Sequence, residues 1–187
     1  QMAQRLMDDI VDLELEQGSY QTLSQLLTND PAIVTGSGYI NRLVGSLLDS
    51  TAALHADGQC QLCFAPQNIL LKKGDDTPML LCHGSFYTGV NDVKSMYDGM
   101  EDFVAPEVMS REGADERSDV YSLGRLIEYL YSTGSMPYEY KQVVKKAVAV
   151  NPDDRYNTIE QMKSDLVAKR GIRRSVGGLV AAVVLRW

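Results

Sequence analysis

Cys60, Cys63, Cys82 and His83 are residues whose types and spacing could do metal or thiol chemistry in this chain. A C-x-x-C pair followed later by a cysteine and a histidine is the ligand inventory of a zinc site. Two considerations weigh against it: the adjacent Cys82 and His83 cannot easily both face one ion, and a free cysteine is usually a small buried hydrophobe. Asn68, a few residues on, could offer one oxygen to a hard divalent cation. Such an ion needs several oxygen ligands, usually carboxylates and phosphates, so one amide is not a site. Asn68 is expected instead to hydrogen-bond the backbone of its own loop.

The surroundings of these residues form an ordered set of motifs. Gln61-Leu62-Cys63-Phe64-Ala65-Pro66-Gln67-Asn68 is followed by Ile69-Leu70-Leu71, then Cys82-His83-Gly84, Ala105-Pro106-Glu107 and Ser118-Asp119-Val120-Tyr121-Ser122-Leu123-Gly124. Each fragment alone is weak, but order and spacing together resemble the large lobe of a protein kinase. By that resemblance Cys63 stands where the family has the aspartate that accepts the substrate hydroxyl proton, Ala65 where it has the catalytic-loop lysine, and Cys82 where it has the magnesium-holding aspartate. Asn68 is the family's one metal-ligand position that survives. The resemblance further implies structural roles for three charged residues. Arg155, in Asn151-Pro152-Asp153-Asp154-Arg155, would pair with Glu107 and tie the activation segment to the lobe, and Asp119 would hydrogen-bond the catalytic-loop backbone.

The elements that must position these residues follow from hydrophobic spacing. Ile40, Leu43, Val44, Leu47, Leu48, Ala52 and Leu54 recur at helical intervals between Gly38 and His55. Val120, Leu123, Leu126, Ile127 and Leu130 do the same over Asp119 to Ser132, where Gly124 permits close approach of another backbone. Tyr138 to Val150 and Thr158 to Lys169 read as two further amphipathic helices, the second capped by Asn157 or Thr158. The short apolar runs 61–64, 68–71 and 79–81, with the polar turn Lys72 to Asp76, predict a small hairpin under the cleft. Glu16 to Leu27 looks like a kinase hinge and the helix after it. Ser85, Tyr87, Thr88, Ser95 and Tyr97 fall in the activation-loop equivalent and read as a polar surface loop, because Leu62 replaces the arginine that would receive a phosphate.

With 187 residues, 44% of them hydrophobic, the chain can bury a single core. A net charge of -7 lacks the basic footprint of a nucleic-acid binder. Three cysteines and no signal-peptide pattern suggest a reducing, cytoplasmic setting. Near the C-terminus the basic cluster Lys169 to Arg174 precedes an apolar run, Val176 to Leu185. That run is roughly half the length needed to span a bilayer, and reads as the start of a transmembrane helix with the basic cluster on the cytoplasmic side.

The expectation is therefore a mainly α protein kinase-like C-lobe over residues 1–170, with a hinge remnant near 11–18 and a juxtamembrane segment over 171–187. No Gly-rich loop or strand lysine precedes the hinge, so the small lobe is expected to be absent or strongly reduced. The functional expectation is a pseudokinase with no cofactor, weak or absent ATP binding, and protein partners for which it acts as a scaffold. The alternatives are a fragment of an active Ser/Thr kinase-like transferase with non-standard catalytic residues, and a metal or thiol-redox module built on Cys60, Cys63, Cys82 and His83.

Overall fold

A computed structural model describes residues 18–35, 38–80, 84–87, 89 and 91–171, the side chains at 85 and 86 excepted. The expected hinge remnant over 11–17, the positions Cys82 and His83, and the apolar run 176–185 lie outside the described residues.

Strand β1 (Tyr20–Thr22) runs into helix α1 (Leu23–Asn29) through a capping box in which Thr22 accepts from the Gln25 backbone and the Gln25 side chain accepts from the Thr22 backbone. Helix α2 (Tyr39–Ala56) buries Ile40, Leu43, Val44, Leu47 and Leu48 on one face. Strands β2 (Ile69–Lys72) and β3 (Pro78–Leu80) form the expected hairpin. The sheet has a third strand that periodicity did not suggest: β1 pairs antiparallel with β2, Tyr20 opposite Lys72, while Ile69 lies opposite Leu80. The apolar run at 61–64 is not a strand. Its one ladder contact is an isolated bridge from Cys63 to Val104, because its backbone is held by a helix, as described below.

Four short or medium helices follow: α3 (Gly84–Tyr87), α4 (Val93–Met96), α5 (Pro106–Ser110) and the core helix α6 (Glu116–Leu130). Asp115 caps α6, with Ser118 completing a second capping box. Helix α7 (Tyr138–Ala147) packs on α6, and α8 (159–171) closes the lobe, with Thr158 accepting from the Gln161 backbone at its start.

The apolar faces form two clusters. In the larger, Leu47 and Leu48 of α2, Leu123, Leu126 and Ile127 of α6, Tyr140 and Val143 of α7 and Ile159, Met162 and Leu166 of α8 are all buried. Burying each large side chain contributes about 1.5–3 kcal/mol, so this cluster supplies the main stabilisation. A smaller one gathers Leu62, Cys63, Ala65, Tyr87, Val93, Tyr97, Val104, Ala105 and Val108. The motif residues sit where these two clusters meet, between α2, α6 and the 84–110 segment.

At Gly124, α6 lies close against the end of α7: a Cβ there would stand 2.8 Å from Val148 Cγ1 and 3.0 Å from Ala147 Cβ. Gly124→Ala is expected to destabilise the domain by about 1–3 kcal/mol, since the methyl overpacks a filled contact. Urea unfolding checks this, and an unchanged midpoint would mean that the helices shift apart at no cost.

Candidate functional site: a loop clamped by Asp119

Asp119 lies in the first turn of α6 and is fully buried. Its carboxylate accepts from the Leu62 N–H at 2.6 Å through Oδ1 and from the Gln61 N–H at 3.0 Å through Oδ2. One turn on, Ser122 Oγ accepts from the Phe64 N–H at 2.7 Å. Helix α6 thereby takes up three loop amides, those of Gln61, Leu62 and Phe64, which a buried segment must satisfy. The clamp also holds strain, because Leu62 sits in the left-handed region at φ 66° although it carries a side chain. Such a conformation costs about 1–3 kcal/mol and persists only where the surroundings over-determine it.

His55, at the last turn of α2, approaches the same carboxylate, with Nε2 2.6 Å from Asp119 Oδ2. Burial lowers the imidazole pKa, but the hydrogen bond and charge of Asp119, with Glu116 and Glu160 behind, outweigh it and raise the net value. Sequence reasoning had assigned His55 no role. A lone histidine at a helix end carries no spacing signal, and its partner is 64 positions away.

Cys63 is fully buried, and burial pushes its thiol up to about 12 even though the Ala65 backbone and the Asn68 amide partly oppose this. Ala65 beside it is equally enclosed. Asn68 is 7% exposed; its backbone N–H donates to Ala65 O at 2.9 Å. Its side-chain nitrogen makes no full hydrogen bond, although it faces the Cys63 sulfur closely enough to act on the thiol. The loop cap is thus a backbone bond, where a side-chain one was expected.

The activation-loop equivalent departs from the expected polar surface loop at its tyrosines. Tyr97 has 0% exposure and packs in the Cys63 cluster with no partner for its hydroxyl; burial raises its pKa. Tyr87 donates to Val108 O at 2.9 Å, with the Arg111 guanidinium 5.4 Å from its ring centre. Both rings belong to the small cluster that also holds Cys63 and Ala65. Ser95 instead hydrogen-bonds Asp92, the cap of α4. Thr88 and the side chain of Ser85 are outside the described residues.

Glu107 and Arg155 form a two-pronged pair, Nη1 to Oε1 at 2.6 Å and Nη2 to Oε2 at 3.0 Å. They are 8% and 2% exposed, so both charges are buried. The remaining donors of Arg155 reach the carbonyls of Ala149, Val150 and Arg117, and Ser118 Oγ donates to Glu107 Oε1. Every guanidinium donor is used, as a buried arginine requires. The ring of Tyr121 lies 4.9 Å from the guanidinium carbon. Burial pushes the Glu107 carboxyl up, but Arg155 and Ser118 more than compensate and hold it below its ordinary value.

Of the four expected metal or thiol residues, Cys60 and Cys63 are described, and both are free thiols. They point to different neighbourhoods. Cys63 belongs to the small apolar cluster, whereas Cys60 is half-buried beside His55 and Asp119, with donor atoms of the three within 4.8 Å of one another.

Two predictions follow from these bonds. Asp119→Ala leaves the buried Gln61 and Leu62 amides without acceptors and releases the strain-holding clamp; a loss of at least about 1–3 kcal/mol in urea unfolding is expected. Glu107→Gln strips the charge from a buried pair and is expected to cost about 3–5 kcal/mol. Because the folded Glu107 carboxyl titrates below 4.5, its stabilisation is present above that pH and is lost as pH falls through the folded value. Stability curves of parent and Glu107→Gln should therefore converge on the acid side, and curves that stay parallel there would rule out a stabilising charge on Glu107.

No family model matches the chain. Among curated proteins, it is 27% identical over 162 residues to the serine/threonine-protein kinase PknB of Mycolicibacterium smegmatis, covering 67% of this chain and 26% of that protein. It is 29% identical over 175 residues to the Aurora kinase of Yarrowia lipolytica, covering 87% and 46%. The chain thus spans less than half the length of either relative. Among solved structures, the apo form of PpkA-294 superposes with a TM-score of 0.61 at 23% identity, covering 78% of this chain and 59% of that one. The Mycobacterium tuberculosis PknI kinase domain gives 0.57 at 17% identity, covering 80% and 62%. By these likenesses the chain is protein kinase-like in fold, and its described residues form a mainly helical C-lobe.

Proposed function

We propose that this lobe is a pseudokinase that transmits or scaffolds signals through protein partners without transferring phosphate. The observation that carries the reading is Cys63. Phosphoryl transfer needs a carboxylate to accept the substrate hydroxyl proton and a second to hold magnesium. At the first of these positions stands a thiol with 0% exposure, its pKa pushed up to about 12 by burial. A neutral, enclosed thiol neither accepts a proton at physiological pH nor meets a substrate. Tyr97 is fully enclosed in the same cluster.

The metal side of the chemistry points the same way. Asn68 alone cannot replace a hard anionic ligand, and by resemblance Cys82 takes the place of the magnesium-binding aspartate. Nucleotide binding is accordingly proposed to be weak or absent. What remains of the fold is its scaffold: the Asp119 clamp and the Glu107–Arg155 pair organise the loop and activation-segment regions without a reactive group. A surface held that way suits recognition by a protein partner. A cytoplasmic setting with tethering through 176–185 is the outer layer of the proposal. No helix among the described residues is long and apolar enough to cross a membrane, and Lys169 and Arg170 pair within the domain, with Asp165 and with Tyr140 and Asn41.

Incubating the chain with labelled ATP, magnesium and generic protein acceptors is expected to give no transfer. The single reversion Cys63→Asp should give none either, because the enclosed position and the Cys82 substitution remain. Transfer that survives purification and is abolished by Asn68→Ala would overturn the reading in favour of an active transferase with non-standard residues. In parallel, millimolar ATP with magnesium should leave the melting temperature unchanged. A ligand held by the folded state at a hundredfold its dissociation constant would add about 2.7 kcal/mol.

A further inference from the structure

We propose that His55, Cys60 and Asp119 form a binding site for a zinc-class divalent cation at the junction of α2, the clamped loop and α6. The three residues offer one nitrogen, one sulfur and one oxygen, the mixed set that a borderline-soft ion such as zinc accepts. Their donor atoms lie within 4.8 Å of one another. With bonds of about 2.0–2.3 Å, a tetrahedral ion needs its ligands about 3.3–3.8 Å apart. The 2.6 Å contact of His55 and Asp119 therefore has to open and Cys60 has to move in for an ion to be held.

The hydrogen bonding allows this exchange. Asp119 Oδ1 has one bond, from Leu62, and Oδ2 has two, from Gln61 and His55. A cation replacing the proton between His55 and Asp119 leaves both backbone bonds intact, so metal binding does not undo the clamp. His55 keeps its ring proton on Nδ1, which is buried. The imidazole is 95% enclosed, and Nε2 is the ring nitrogen turned to Asp119. A divalent ion bound there would displace the Cys60 thiol proton to solvent, forming a metal–sulfur bond as the S–H bond breaks. Three protein ligands leave a fourth position for water or a partner's side chain. Half-buried Cys60 gives access to it.

The test is titration of the full chain with zinc, and with cobalt(II) as a spectroscopic substitute, against a chelator of known affinity. One equivalent of either metal should bind, with a thiolate-to-cobalt absorption band. Affinity should rise about tenfold per pH unit for each proton displaced. Cys60→Ser should abolish the band, and His55→Gln should weaken binding by more than about a hundredfold, beyond the roughly 10–100-fold loss expected of a supporting residue alone. Cys63→Ser and Cys82→Ser should leave both unchanged. Circular dichroism of each variant establishes that it is folded. Absence of stoichiometric uptake by the folded parent overturns the proposal, as does a band that follows Cys63 or Cys82 and persists in Cys60→Ser. None of these outcomes depends on phosphotransfer.

Discussion

A buried carboxylate that serves backbone amides is the constraint on which the rest of this structure depends. Asp119 accepts from two consecutive loop residues, and that forces Leu62 into a backbone conformation its side chain resists. The next residue, Cys63, is fully buried in the small cluster. Its loop is held by backbone bonds to Asp119 and Ser122 rather than by its own side chain.

The Glu107–Arg155 pair serves the same end from the opposite side. Arg155 joins Glu107 to the carbonyls of Ala149, Val150 and Arg117, so one guanidinium gathers α5, the start of α6 and the loop after α7. A buried ion pair is weak support for stability when set against a well-packed apolar substitute, yet removing one partner is severe. The pair is therefore best understood as a device of position. It fixes α5 against the start of α6, while Tyr87 and Tyr97 share the small cluster with Cys63.

Much of this was legible in the chain. The spacing of Ile40, Leu43, Val44 and Leu47, and that of Val120, Leu123, Leu126 and Ile127, placed α2 and α6 to within a few residues, because each helix buries one continuous stripe. The hairpin was legible from its polar turn. The third strand was not: β1 has only three residues, and its pairing with β2 is a contact between segments some fifty positions apart. The inward tyrosines were misjudged for a related reason. Tyrosine is compatible with either surface or core, and the small cluster that also holds Cys63 and Ala65 is assembled only by the fold. His55 escaped notice because its significance lies wholly in a tertiary contact with Asp119.

Native-state hydrogen exchange at the Gln61 and Leu62 amides tests the central claim most directly, since amides bonded to a buried, fully engaged carboxylate should open only when the domain does. The predicted result is that both exchange with the free energy of global unfolding, on a par with the core amides of α6. Exchange of these two amides through a local opening, at a small fraction of that free energy while α6 stays protected, would contradict the view that Asp119 is the anchor of the lobe.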